Sequence, residues 1–224
     1  MQSRTLTTTW IGAGLLALAL AWDASGLDLA LARLAGGAHG FPWRDHWFLV
    51  AVMHEGTRAL AWLLALALCL AIAWPAGPLA RLDRSRRVRL AATALLAPLA
   101  VVVLKRASQT SCPWDLAEFG GIAAHVSHWS AGSDGGGGRC FPAGHASAGF
   151  AFLGGYFAFH ATDATLARQW TGWSLAAGLL LGIAQQWRGA HFMSHTLWSA
   201  VACWFVAWAV DALPEPRPRE ASLP

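Results

Sequence analysis

Charge is what this chain has least of. Only 12% of its 224 residues are Asp, Glu, Lys or Arg, against about 25% in an ordinary soluble domain. With 56% hydrophobic residues, the polar surface is too small for a soluble enzyme of this length. The same composition excludes an intrinsically disordered chain, collagen-like repeats and a coiled coil. Four cysteines are too few for a disulfide-packed miniprotein. Acidic residues are also in the minority, giving a net charge of +4. Nucleic acid would be one partner for such a charge, but the placement of the arginines points elsewhere.

A membrane-spanning helix needs about 20 predominantly apolar residues, or fewer with interfacial anchors. Six stretches qualify: 8–22, 59–74, 90–104, 146–159, 170–187 and 196–210. The amphipathic stretch 45–54 extends the second outward or lies along the interface. The sequence therefore predicts an all-α polytopic membrane protein with six transmembrane helices, a membrane domain over 1–212 and a disordered cytoplasmic tail over 213–224. Arg4 followed by an apolar run resembles a secretory leader. Trp22-Asp23 then follows without a small-x-small cleavage site, so an uncleaved helix is expected. Between the second and third spans lie Arg81, Arg84, Arg86, Arg87 and Arg89 with a single Asp83. Such a run is expected in the cytoplasm and reads as a topology signal, so no nucleic acid is expected as a partner. Arg4, Arg168, Arg217 and Arg219 fall on the same side. Trp10, Trp22, Trp43, Trp47, Trp74, Trp170 and Trp187 suit interfacial belts.

The opposite face then carries 23–58, 105–144 and 188–195, and with them basic residues that run against the orientation trend. Ionisable groups near membrane depth are costly and mark functional sites by default. Lys105 stands where the third span ends; alone it would be a snorkelling lysine. Pro142-Ala143-Gly144-His145 opens the fourth span. Pro142 suits a first helical turn, the following backbone N–H groups make an anion site, and Gly144 leaves room for a phosphate. Arg188, His191, His195 and Ser199 lead into the sixth span and share one stripe if the segment is helical throughout. The Gly135–Gly138 run is not a phosphate loop, because no Gly-Lys-Ser/Thr follows it. It reads as a hinge in a long outer loop, whose alternatives are a lid and a disordered connection. The small residues from Gly144 to Gly155 suit close helix packing. His125 and His128 form a His-x-x-His, but no second pair follows to complete a metal site.

Taken in order, these clusters resemble the type 2 phosphatidic acid phosphatase and haloperoxidase superfamily, in its bacterial integral-membrane branch. That family carries Lys, six residues, Arg-Pro; then Pro-Ser-Gly-His; then Ser-Arg, five residues, His, three residues, Asp. Here the corresponding residues are Lys105, six residues, Cys112-Pro113; then Pro142-Ala143-Gly144-His145; then Arg188, six residues, His195, three residues, Ser199. The departures are Cys112 for Arg, Ala143 for Ser and Ser199 for Asp, with one extra residue between Arg188 and His195.

The resemblance implies a metal-independent phosphatase without cofactor, acting on a lipid phosphate from the periplasmic face of a bacterial inner membrane. Its site would lie at the periplasmic ends of helices 3, 4 and 6. His195 would attack phosphorus to form a phosphohistidine, with His191 an alternative nucleophile. His145 would protonate the leaving group and then activate water. Lys105, Arg188, Arg139 (or Arg106) and the Gly144 N–H would hold the phosphoryl oxygens. Ser199, Asp115, Glu55 or water would orient the imidazole. A Cys112–Cys140 disulfide would tie the first motif to the second, while Cys69 and Cys203 lie within spans. A lipid phosphotransferase and a non-catalytic lipid-phosphate binder use the same residues and stay open as alternatives. The sequence does not specify an oligomeric state.

Overall fold

The computed structural model describes residues 2–214; the expected tail over 213–224 lies outside them but for its first two residues. The described chain is built from helices, with no strand among the described residues. Helix α1 (Gln2–Ser25) turns at Gly26 into the short α2 (Leu27–Ala35). A π-helical stretch (Phe48–Gly56) runs directly into α3 (Thr57–Leu70), and α4 spans Arg84–Ala107. One interrupted rod follows, made of α5 (Gly144–Phe150), a 3-10 turn (Ala151–Leu153) and α6 (Gly154–Phe159). Helices α7 (Ala164–Trp187) and α8 (Met193–Asp211) complete it.

Four helices among the described residues are long and apolar enough to cross a membrane: Leu6–Ser25, Phe48–Leu70, Arg84–Ala107 and Met193–Asp211. They correspond to the first, second, third and sixth expected spans, the second being extended outward by its π-helical entry. The fourth expected span is the interrupted rod. The fifth is α7, whose Arg168, Gln169, Gln185 and Gln186 dilute its apolar character. Large apolar side chains cover the outside of the bundle, among them Trp62, Leu63, Leu99 and Trp173. A surface of that kind fits the chain of a membrane protein, where lipid rather than water meets it.

Local chemistry explains the helix ends. Asp83 accepts the Arg86 N–H at 2.8 Å and starts α4; Asp163 does the same for α7 through Leu166 at 3.0 Å. The arginine run after Asp83 does more than signal topology. Arg87 donates to Ala71 O at the end of α3 (3.2 Å) and Arg86 to Ala158 O in the last turn of α6 (3.4 Å). Arg89 donates to Asp211 O (2.8 Å) and Leu213 O (2.7 Å) at the end of α8. Terminal carbonyls lack partners within their own helix, and the dipole there is negative. One basic turn thus gathers three helix C-termini at one end of the bundle.

Helix α8 is the axis, packing on α1, α4, α5, α6 and α7. In its candidate span 56% is buried, against 6% for the peripheral Phe48–Leu70. Small residues set the close approaches. A Cβ on Gly149 would stand 2.3 Å from the Gly178 nitrogen, and one on Gly178 would stand 2.2 Å from the Phe150 ring. Helices α5 and α7 meet backbone to backbone there, as small-residue interfaces in membranes allow. Gly178→Val should therefore lower stability by at least about 2 kcal/mol through overpacking. Gly14→Val, at a glycine with nothing within 4 Å of the added Cβ, should leave it nearly unchanged. Thermal unfolding in detergent checks the pair, and equal effects would contradict the packing described.

Candidate active site

At the end of the bundle opposite the arginine turn, α4 stops, α5 and α8 start, and the long 108–143 loop folds over them. The loop is fastened at its base. Arg139 N–H donates to Ser108 O (2.9 Å) and Cys140 N–H to Thr110 O (3.0 Å). Cys112 and Cys140 form a disulfide with Cα atoms 5.1 Å apart. Buried Asp134 accepts from Ser111 N–H (2.5 Å), Ser111 Oγ (2.9 Å) and Gly136 N–H (3.0 Å). Burial alone would push that carboxyl up, but the donors outweigh it and hold it below its ordinary range. Gly138 N–H donates to Ser111 Oγ at 3.1 Å. The glycine run expected as a hinge is therefore held in a hydrogen-bonded turn.

The expected helical stripe through Arg188, His191, His195 and Ser199 does not form. Helix α7 ends at Trp187 and α8 begins at Met193. Between them Gly189 takes φ +74°, and a Cβ there would meet the Phe41 ring at 2.3 Å, so the chain must turn. Pro142 likewise precedes the helix rather than opening its first turn, since α5 starts at Gly144 with Ala143 as its N-cap.

The turn gathers four expected residues. Arg188 is buried; its Nε donates to Arg44 O (2.9 Å) and its Nη1 to Gln185 Oε1 (3.2 Å). Burial lowers the affinity of Arg188 for its proton, and Asp45 opposes that. The charges of Lys105 and Arg188 both act on His145. His145 Nε2 donates to the His54 carbonyl at 3.1 Å, and its ring stacks on that of His54 at 3.6 Å between centroids. Gly144 faces open space, with nothing within 4 Å of a would-be Cβ. His191 is wholly buried, which pushes its pKa well below the ordinary range; the charges of Lys105, His195 and His145 push the same way. Its imidazole is neutral near pH 7 and keeps a lone pair.

His195, also buried, meets His191 Nδ1 to Nδ1 at 3.4 Å. One of the two nitrogens must carry the hydrogen. His195 also lines a cavity of about 170 Å³ on its other side, with Asp23, Asp28, His125, His128 and Asp134. Ser199 Oγ lies 2.9 Å from both Ala143 O and His195 O; its hydroxyl serves backbone carbonyls rather than an imidazole. Arg139 and Arg106 are exposed. Asp115 accepts from Trp114 Nε1 at 3.0 Å. Glu55 lies 2.8 Å from His54 Nδ1 and 2.7 Å from Arg58.

Cys140, His191 and His195 bring three ligand-type atoms within 4.8 Å of one another. The sulfur is bonded to Cys112, so no thiolate is available and two imidazoles remain. His125 and His128 are separately engaged. His125 meets the Phe192 ring edge-on, and His128 Nε2 lies 3.2 Å from Asp23 Oδ2. Burial pushes the His128 pKa down, with Asp23 opposing.

Four contributors escaped the sequence reading. Asp28 accepts the Ser194 N–H at 3.0 Å and the Ser194 hydroxyl. It caps α8 from another element, since Phe192 supplies no side-chain cap. Asp23 Oδ2 accepts from Trp129 (3.0 Å) and Trp198 (2.9 Å) as well. Arg44 lies over the Trp114 ring at 4.5 Å. His54 covers His145. The available signal was two carboxylates flanking Gly26 just beyond an apolar span, and a His-Glu pair at the head of another.

A family model described as the PAP2 superfamily matches residues 87–218. No curated protein and no solved structure gives a significant match.

The disulfide closes a sequence separation of 28 around the site's first two motifs, and removing such a link costs about 2–4 kcal/mol. Cys112→Ser/Cys140→Ser should unfold at a clearly lower temperature. Alkylation of unreduced wild type should leave both cysteines unlabelled. Labelling at either one, or an unchanged unfolding temperature, would contradict this arrangement.

Proposed function

The chain belongs to the PAP2 superfamily, and on that premise we propose that it is an integral membrane lipid-phosphate phosphatase working through a phosphohistidine. Membership carries phosphatase or phosphoesterase chemistry as its coarse implication. The observation that supports the mechanism is the convergence of cations on two imidazoles: Lys105 and Arg188 act on His145, and Lys105 acts on His191 as well. Two cations neutralise phosphoryl oxygens as charge develops, and Arg offers them bidentate donors. The Gly144 N–H adds a backbone donor, and exposed Arg139 is the further cation available to swing toward bound phosphate.

In the proposed reaction a neutral imidazole nitrogen attacks phosphorus. The P–N bond forms as the P–O bond to the leaving group breaks, and His145 gives that oxygen its proton. His145 then takes a proton from water, the resulting hydroxide attacks phosphorus, and the P–N bond breaks to release phosphate and the free imidazole. We assign the attack to His191, with His195 orienting it. Three features support this over attack by His195. His191 feels Lys105 and His145 together. The cavity beside His195 carries Asp23, Asp28 and Asp134, which would repel a phosphate. Three residues also separate His191 from His195, the spacing at which the family's Asp follows its nucleophile.

A lipid substrate is supported by an apolar groove of about 300 Å³ between α3, α4 and α5. Trp62, Leu95, Leu99 and Val102 line it, and it reaches Gly144 and His145, with Arg58 also in its wall. An acyl or prenyl chain there would present its phosphate to His145. We also propose that all six helical passes cross a bacterial inner membrane, with the arginine turn cytoplasmic and the site periplasmic, in keeping with the positive-inside trend. A phosphotransferase would differ only in offering a second lipid in place of water.

Phosphate release from phosphatidic acid, phosphatidylglycerol phosphate and a polyprenyl pyrophosphate, in detergent with EDTA, tests the reading. Wild type should release phosphate, and His191→Ala and His145→Ala should each lose at least about a hundredfold. His195→Ala should retain part of the rate. Full activity in His191→Ala with none in His195→Ala would move the attack to His195. No release from any lipid by folded protein would favour the transferase or the binder. Activity should also persist on the acid side well below about pH 6.5, the ordinary imidazole value, because His191 stays neutral there.

A further inference from the structure

The π-helical entry to α3 has no role in the chemistry so far, yet it supplies the closest neighbour of His145. A π-helix of nine residues is unusual, and such insertions concentrate at functional sites. Here it carries His54 and Glu55 to the head of α5. The His54 carbonyl can only accept, so the 3.1 Å contact fixes the hydrogen of His145 on Nε2. That leaves Nδ1 as the nitrogen that gains and loses a proton. The His54 ring lies over the His145 ring at 3.6 Å and 16°, a stacked contact that fixes the plane of the His145 imidazole. Glu55 Oε1 accepts from His54 Nδ1 at 2.8 Å and is itself held by Arg58 at 2.7 Å. The same carbonyl also accepts the Thr57 N–H, and Thr57 Oγ1 donates to Met53 O at 2.6 Å, so the segment is braced.

We propose that His54, held by Glu55, is a positioning residue for His145: its backbone carbonyl sets the tautomer, its stacked ring sets the ring plane, and it holds the Glu55 carboxylate nearby as the negative charge that favours the proton the acid step consumes. The inference rests on the reading of His145 as the proton donor. The charged and titratable groups acting around His145 are His54, Glu55 and Arg58 from the α3 segment, Lys105 from α4, and Arg188 and His191 from the turn after α7. Only Glu55 among them is negative. Losing it should release the proton from His145 more readily.

The test uses the full chain in detergent with ¹⁵N-labelled histidine, the His145 signals being assigned by their loss in His145→Gln. In wild type, neutral His145 should be the Nε2–H tautomer. In Glu55→Gln its titration midpoint should fall by about one pH unit, and His54→Phe, which keeps the stacked ring, should keep more of the rate than His54→Ala. With short-chain phosphatidic acid as probe, His54→Ala should lose roughly tenfold in kcat with little change in KM. The alkaline limb of the Glu55→Gln profile should move to lower pH. Unfolding temperature shows that each variant is folded. An Nδ1–H tautomer of neutral His145 in wild type, or an unchanged midpoint in folded Glu55→Gln, would overturn the proposal, whatever the activity. A shifted midpoint in a protein that releases no phosphate would retain the positioning role and overturn the hydrolase reading instead.

Discussion

The candidate site depends on one contact, where the starts of α5 and α8 are joined through Ala143. Its N–H donates to His195 O at 3.1 Å, and its carbonyl lies 2.9 Å from Ser199 Oγ. Ala143 is itself fully buried. Those bonds lock the His145 strand to the helix that follows His191, while the disulfide locks the same strand to the end of α4. Asp28 then caps α8 from the N-terminal helices. Three chain segments far apart in sequence are thereby held at fixed spacing, which oriented catalytic groups require.

The same contact accounts for two of the motif departures. A side-chain hydroxyl at position 143 would have to find a partner in a fully enclosed place, and Ala avoids that cost. A carboxylate at 199 would be buried against two carbonyl oxygens, whereas a serine hydroxyl donates to them. The orienting function proposed for the missing Asp then falls to His195. The surroundings of the His191–His195 pair differ: the charges of Lys105 and His145 act on His191, and the carboxylates Asp23, Asp28 and Asp134 line the cavity beside His195.

Much of this was legible in the chain. Apolar runs marked every long helix, because a span must satisfy its backbone internally and cover itself in apolar side chains. The order of Lys105, Pro142–His145 and Arg188–His195 pointed to the candidate site because each cluster sits at a helix end, where ionisable groups are rare without cause. The turn at Gly189 was not legible: it follows from the Phe41 ring, about 150 residues earlier in the chain, and pattern alone continued the helix. Asp28 and His54 were invisible for the same reason, since each acts on a residue from a distant segment. The arginine run was read for its sign, but its hydrogen bonds to three helix ends needed the packed bundle.

The central claim is that His191 carries the phosphoryl group between two chemical steps. Rapid acid-free quenching of detergent-solubilised protein with ³²P-labelled lipid phosphate, followed by peptide mapping, tests it directly. An acid-labile, base-stable label is expected on His191, absent from His191→Ala and accumulating in a His145 variant given a substrate whose leaving group needs no proton. Label on His195, or turnover with no labelled histidine at all, would contradict it.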